Sequence, residues 1–196
     1  MDNRQIQRQR LSALRQQMEN AGIQAAIIPQ ADPHMSEYLA SHWQFRRWLS
    51  GFSGSAGTLV VTSDRALLWT DSRYFLQASQ ELEGTGIELM KDGLSETPSI
   101  AGWLCDNLIS GSRAGVDGML FSVSEARSLN EELSRHGIEL DTFFDVADTV
   151  WTDRPPLPQD KVFIHLTTYA GEDVASKLAK VMERVKAASA DAAFIS

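Results

Sequence analysis

Only one cysteine, Cys105, occurs in the 196 residues, so no intramolecular disulfide can staple the fold. Its apolar surroundings in AGWLCDNL, with no basic neighbour to stabilise a thiolate, mark a packed thiol rather than a reactive one. An excess of positive charge is also missing: 18 Lys and Arg stand against 26 Asp and Glu, a formal net charge of −8. That balance opposes phosphate backbones and anionic lipid headgroups, which excludes nucleic acid and membrane surfaces as first choices of partner. No apolar run reaches the roughly 18 residues of a membrane-spanning helix. The start, MDNRQIQRQR, is too polar for the apolar core of about 7–15 residues that a secretion signal needs. A soluble, cytoplasmic protein is expected. The four histidines, His34, His42, His136 and His165, show neither His-Glu-x-x-His pairing nor a short spacing to another ligand, so no metal site is expected in this chain. Repeats at a fixed period and low-complexity tracts are absent as well.

What is present is ordinary globular material, 43% hydrophobic and 22% charged, patterned as alternating strands and helices. Leu11, Leu14 and Met18 recur at helical spacing ahead of Gly22, which predicts a first helix and its stop. AAIIP reads as a buried strand and HWQFRRWL as a short helix. TLVVT and ALLWT, separated only by Ser63, Asp64 and Arg65, require a hairpin. From Asp71 the period becomes helical through Phe75, Ala78 and Leu82. GIELM is the next strand, and Thr97-Pro98 predicts a capping hydroxyl followed by proline at the start of a further helix. AGVD reads as a strand end, Ser122 and Glu125 have capping-box spacing ahead of another helix, and IELDTFF adds a strand. The pattern predicts an α/β fold with a mixed sheet flanked by helices.

Three prolines in RPPLP, Arg154 to Pro158, make a stiff extended linker. The expected organisation is a domain over 1–153, a linker over 154–160 and, over 161–196, VFIHL, an amphipathic helix through Val174, Leu178, Val181 and Val185, and DAAFIS. The last piece reads as a strand-helix-strand unit too small to close its own core, so the chain is expected to be the first part of something longer.

Two chemical readings of GFSGSAG fail on context. A nucleophile elbow needs strand, turn, helix and a glycine where Ser55 stands; a phosphate cradle needs the same order of elements. Here the order is helix then strand, which leaves a tight structural turn. Asp141, Asp145 and Asp148 read as a solvated acidic edge. Arg73 stands apart, because a cation in the first turn of a helix opposes the macrodipole. It is either simply solvated, with Asp71 offsetting it, or held ready for a carboxylate or carbonyl outside its own helix.

At these residues the chain resembles the N-terminal part of aminopeptidase P, the Xaa-Pro aminopeptidase of the creatinase and prolidase group. The resemblance runs through SEY at Ser36 to Tyr38, RRWLSGFSGSAG at Arg46 to Gly57, WTDSRYFLQA at Trp69 to Ala78, and GVD at Gly115 to Asp117. It continues through VWTDRPPLP at Val150 to Pro158, YAGE at Tyr169 to Glu172, and the terminal ADAAFIS. It implies a creatinase/prolidase-type N-terminal domain with a ribonuclease H-like motif, followed by the start of a second, similar domain. It also implies that a C-terminal pita-bread domain, absent here, holds two divalent metal ions, usually manganese, and hydrolyses the bond between an N-terminal residue and a following proline. The arginine of the family's W-T-D-x-R-Y-F pattern contacts the peptide and matches Arg73. The implied partners are a peptide with proline in second position, the parent's own catalytic domain and, through the region of Glu37 among others, a second subunit in a homodimer. This stretch by itself is expected to be inactive. The alternative is a stand-alone, non-catalytic module that binds a peptide or protein with the same surface.

Overall fold

The structure, a computed structural model, describes residues 3–194. The chain divides into two compact units, one running to Pro158 and one starting at Gln159. In the first, helix α1 (Asn3–Ala21) precedes strand β1 (Ala25–Pro29), helix α2 (Phe45–Ser50), the hairpin β2 (Thr58–Thr62) and β3 (Ala66–Thr70), and helix α3 (Phe75–Glu81). Then come β4 (Glu88–Lys91), α4 (Ile100–Asn107), β5 (Arg113–Gly115), α5 (Val123–Arg135), β6 (Glu139–Asp141) and α6 (Ala147–Val150). Six strands form one sheet in the order β4-β3-β2-β1-β5-β6. β1, β2 and β3 are antiparallel, whereas β4, β5 and β6 join in parallel.

The alternation of side chains across the pleat builds two cores. Ala26, Ile28, Leu59, Val61, Ala66 and Leu68 face one side, where Leu11, Leu14 and Met18 of α1 and Leu49 of α2 cover them. Ala25, Ile27, Val60, Leu67 and Trp69 face the other, under Trp103 and Leu104 of α4 and Leu133 of α5. Period-2 strands between period-3.6 helices can bury both faces in this way, which makes a three-layer α/β sandwich. Among the described residues no helix is long and apolar enough to cross a membrane. Cys105 lies half-buried in α4, and burial pushes its thiol above the ordinary value.

Most expected elements are present, with local differences. The helix after Thr97-Pro98 is capped two residues later: the Ser99 hydroxyl accepts from the Gly102 N–H. The Pro98 carbonyl is engaged instead by the Trp69 indole N–H at 2.9 Å, which holds the proline outside the helix. The capping box of α5 forms as expected between Ser122 and Glu125. The acidic trio is not a merely solvated edge. Asp141 pairs with Arg113, Asp145 accepts from the Ala147 N–H, and Asp148 pairs with Arg154.

The linker begins with an anchor rather than a free segment. The Arg154 side chain is 8% exposed, lies 5.2 Å above the Trp43 ring and donates from Nε to the His42 carbonyl at 2.8 Å. His42 Nδ1 in turn lies 2.7 Å from the Pro155 carbonyl oxygen, so it is the donor in that bond. Trp48 and Trp151 stack nearby with ring centroids 5.2 Å apart.

In the second unit, the described residues form two helices, α7 (Thr167–Ala170) and α8 (Val174–Ala187). Asp173 caps α8 by accepting from the Ser176 N–H at 2.9 Å. The strand expected at VFIHL is not formed, and Val162 and Ile164 are 100% and 91% exposed. An extended segment needs a neighbouring strand to satisfy its backbone, and residues 161–166 have none among the described residues. Residues 191–194 are likewise in no strand, while Ile195 and Ser196, which complete DAAFIS, lie outside the described residues.

Gly57 has φ +151, and a Cβ there would stand 2.8 Å from the Trp69 carbonyl oxygen. Gly57→Val is therefore expected to cost about 2–3 kcal/mol or more and to lower Tm by about 4–12 °C, measured by calorimetry. Arg154→Ala is expected to leave the sheet intact but to speed amide exchange at residues 151–154, where the Trp151 carbonyl accepts from the Arg154 N–H.

Candidate functional site

The site is built around the place where β3 hands over to α3. After Thr70 the chain makes a single tight turn, Ser72–Tyr74, before α3 starts at Phe75. Asp71 is extended and caps this turn. One oxygen, Oδ1, accepts from the Arg73 backbone N–H at 3.0 Å and from Arg73 Nε at 2.9 Å, while Oδ2 accepts from Nη2 at 2.8 Å. A carboxylate two residues before an arginine thus curls the guanidinium back over its own turn. Asp71 also offsets the unfavourable placement of a cation at a helix start.

The bond from the Arg73 side chain holds the Asp71 carboxyl below its usual range, and the same bond raises the Arg73 guanidinium. Because the Arg73 side chain is 67% exposed, the pair contributes little to stability. Its importance is geometric. Asp71 occupies the Nε–Nη2 edge of the fork, so the Nη1–Nη2 edge is the one left for a second partner. Such an edge can donate two parallel hydrogen bonds to a carboxylate or carbonyl group.

The glycine-rich segment between α2 and β2 is the support for this turn. The Ser55 hydroxyl and the Tyr74 hydroxyl lie 2.7 Å apart, and that bond lowers the Tyr74 phenol below its ordinary value. The Phe52 and Tyr74 rings meet edge to face at 5.9 Å. Farther along α3, Glu81 accepts from the Ser53 N–H at 2.8 Å and the Ser53 hydroxyl at 2.7 Å. Burial pushes the Glu81 carboxyl up, but these Ser53 donors, with Gln77, outweigh it and leave the group below its usual range. Thr70 Oγ1 donates to the Ala56 carbonyl at 2.8 Å.

Beneath the segment lies Arg46, fully buried. It donates from Nη1 to the Phe52 carbonyl at 2.6 Å and from Nη2 to the Gly54 carbonyl. Its guanidinium carbon sits 4.9 Å from the centroid of the Phe52 ring. Burial, reinforced by the neighbouring Arg47, pushes its pKa down to about 10. Gly54 has no room for a side chain, since a Cβ would come within 2.3 Å of the Phe52 ring.

A cleft of about 340 Å³, lined in part by Gly57, Trp69, Thr70, Asp71 and Asp92, opens beside the turn. A larger groove of about 710 Å³ lies at the opposite ends of β2 and β3, among Arg15, Thr62, Arg65 and Trp103. Its arginines are already committed, Arg15 to the Thr62 and Arg65 carbonyls and Arg65 to Glu88. The smaller cleft is the one adjoining the residue that the sequence singles out.

Sequence reasoning isolated Arg73 but missed Tyr74, Ser55 and Arg46. Arg46 carried a readable signal: at helical spacing it shares a face with Leu49 and Ser50, both buried. Glu37 stands exposed in the loop after β1, where Asp32 Oδ1 accepts from the His34 and Ser36 N–H groups. Among the described residues no group of three or more His, Cys, Asp or Glu side chains could hold a metal ion. The resemblance assigns the pair of divalent ions to a different domain, and no side-chain cluster among the described residues fits them.

Comparison with known proteins identifies the family. Residues 10–155 match the model of the Creatinase/Prolidase N-terminal domain. Aminopeptidase P2 of Arabidopsis thaliana is 42% identical over 193 residues, covering 96% of this chain and 27% of that protein. The Drosophila melanogaster Xaa-Pro aminopeptidase ApepP is 41% identical over 180 residues, covering 91% of this chain and 29% of that protein. The solved X-prolyl aminopeptidase of Caenorhabditis elegans, described as a cytosolic enzyme with a di-nuclear active site, superimposes with a TM-score of 0.81 at 32% identity. That match covers 93% of this chain and 31% of that one. The chain thus spans under a third of the length of these relatives. With a mixed sheet between helices and a family match running from α1 to the linker anchor, this chain belongs to the Creatinase/Prolidase N-terminal domain family.

Proposed function

We propose that this chain is the non-catalytic N-terminal region of a longer, metal-dependent Xaa-Pro aminopeptidase and that it helps to shape the substrate site through Arg73. The observation that carries the reading is the exposed Arg73 fork, tethered on one edge by Asp71 and open on the other. A guanidinium fixed in this way binds a peptide carbonyl or carboxylate without first losing side-chain freedom. Hydrolysis then belongs to another domain of the parent, which holds two divalent metal ions, manganese by this reading, to activate water. The second unit, from Gln159 onward, begins a further domain of that parent. The parent is a cytoplasmic enzyme acting on peptides with proline in second position, and it associates as a homodimer.

Two measurements test this reading. The 196-residue chain and the longer parent are assayed with an Xaa-Pro-Yaa peptide and manganese. Turnover is expected only in the parent, and turnover by the short chain contradicts the division of labour. In the parent, Arg73→Ala is expected to lower kcat/KM by about 10- to 100-fold, the loss of one charge-assisted hydrogen bond. The melting temperature of the same variant should stay nearly unchanged, because the side chain is exposed. An unaltered kcat/KM removes Arg73 from the substrate site.

A further inference from the structure

We propose that Tyr74 is a positioning residue for Arg73, and that its bond to Ser55 holds the arginine's turn in the orientation that receives the peptide. The proposal rests on the role assigned to Arg73 above. Arg73 is tied to the rest of the fold in only a few ways. Its tether, Asp71, is its neighbour in the same turn, so that ion pair fixes the guanidinium relative to the turn but not the turn relative to the sheet. A long-range hold must tie the turn to residues outside 71–74.

Tyr74 supplies that hold. The Arg73 guanidinium lies 5.3 Å from the centroid of the Tyr74 ring, so the ring is a platform for the cation. The platform is fixed at two points. Its edge packs against Phe52, and its hydroxyl meets Ser55 Oγ at 2.7 Å, across 19 residues of sequence. Both points lie on the glycine-rich segment, and that segment is immobilised from below by Arg46, which binds the carbonyls on either side of Ser53. Ser53 itself is held by Glu81 through two bonds.

The line of support therefore runs from the buried Arg46 to the segment 52–55, from Ser55 and Phe52 to Tyr74, and from Tyr74 to Arg73. Tyr74 is half-buried, and its hydroxyl meets the exposed Ser55 at the surface. The bond is separable from the packing, because phenylalanine keeps the ring on Phe52 and under the guanidinium while removing only the hydroxyl.

The test is a double-mutant cycle in the longer parent enzyme together with amide exchange on the 196-residue chain. Tyr74→Phe is expected to raise KM for an Xaa-Pro-Yaa peptide by about 5-fold, the loss of one hydrogen bond's worth of positioning, with kcat within about 2-fold. Ser55→Ala, at the other end of the bond, should reproduce that change. In an Arg73→Ala background Tyr74→Phe should add nothing, since it acts through the missing residue. In the 196-residue chain, Tyr74→Phe should speed exchange of the Arg73 and Tyr74 amides, which donate to Asp71, with little change in Tm. An equal Tyr74→Phe effect with and without Arg73, no kinetic effect while Arg73→Ala is damaging, or unchanged exchange overturns the proposal and leaves the role of Arg73 standing. A silent Arg73→Ala overturns the reading on which it rests.

Discussion

A buried guanidinium without a carboxylate partner is the constraint on which the functional end of this fold depends. Arg46 is removed from water and met by two carbonyl oxygens and the face of an aromatic ring. Burying a charge is costly unless its donors are satisfied, and here the acceptors are main-chain groups of the segment 52–54. Nε of Arg46 is already buried without a partner, so movement of the segment would cost the guanidinium the two bonds it does make. That coupling turns a glycine-rich stretch, which would otherwise be pliable, into a rigid shelf between α2 and β2. Gly54 and Gly57 are required because the Phe52 ring and the Trp69 carbonyl come too close for any side chain.

The shelf has one outward consequence. It supports the first turn after β3 through Phe52, Ser55 and Ala56, and that turn carries an exposed arginine. Each of these contacts orients the turn relative to the sheet. The Ser53 hydroxyl donates to Glu81 and accepts from Gln77, the Ser55 hydroxyl meets Tyr74, and Asp141, Asp145 and Asp148 are engaged by arginines or by a helix start. The design suits a domain that contributes a binding group to chemistry performed elsewhere.

Much of the fold was legible from local pattern. The alternation in AAIIP, TLVVT and ALLWT separates the two cores residue by residue, and the short connection at Ser63 to Arg65 forces the hairpin. Ser122 and Glu125 announce their capping box because both partners lie within one turn. The failures occur where a distant residue decides. The Thr97-Pro98 start lost to Ser99 because Trp69 claims the Pro98 carbonyl. VFIHL has strand composition but no strand beside it among the described residues. Arg154 reads in sequence as the first residue of a stiff linker, yet Trp43 and His42, over a hundred residues earlier, anchor it. For the site, the motif singled out Arg73, while the hold through Ser55, Tyr74 and Arg46 depends on contacts between segments that no spacing in the sequence reveals.

The most direct measurement is a crystal structure of the longer parent protein with a non-hydrolysed Xaa-Pro peptide analogue bound. The account predicts that the open edge of the Arg73 guanidinium lies within hydrogen-bonding distance, about 3 Å, of a peptide carbonyl or carboxylate oxygen, with Asp71 still on the other edge. An Arg73 fork that remains in solvent, with the peptide bound out of its reach, would contradict it.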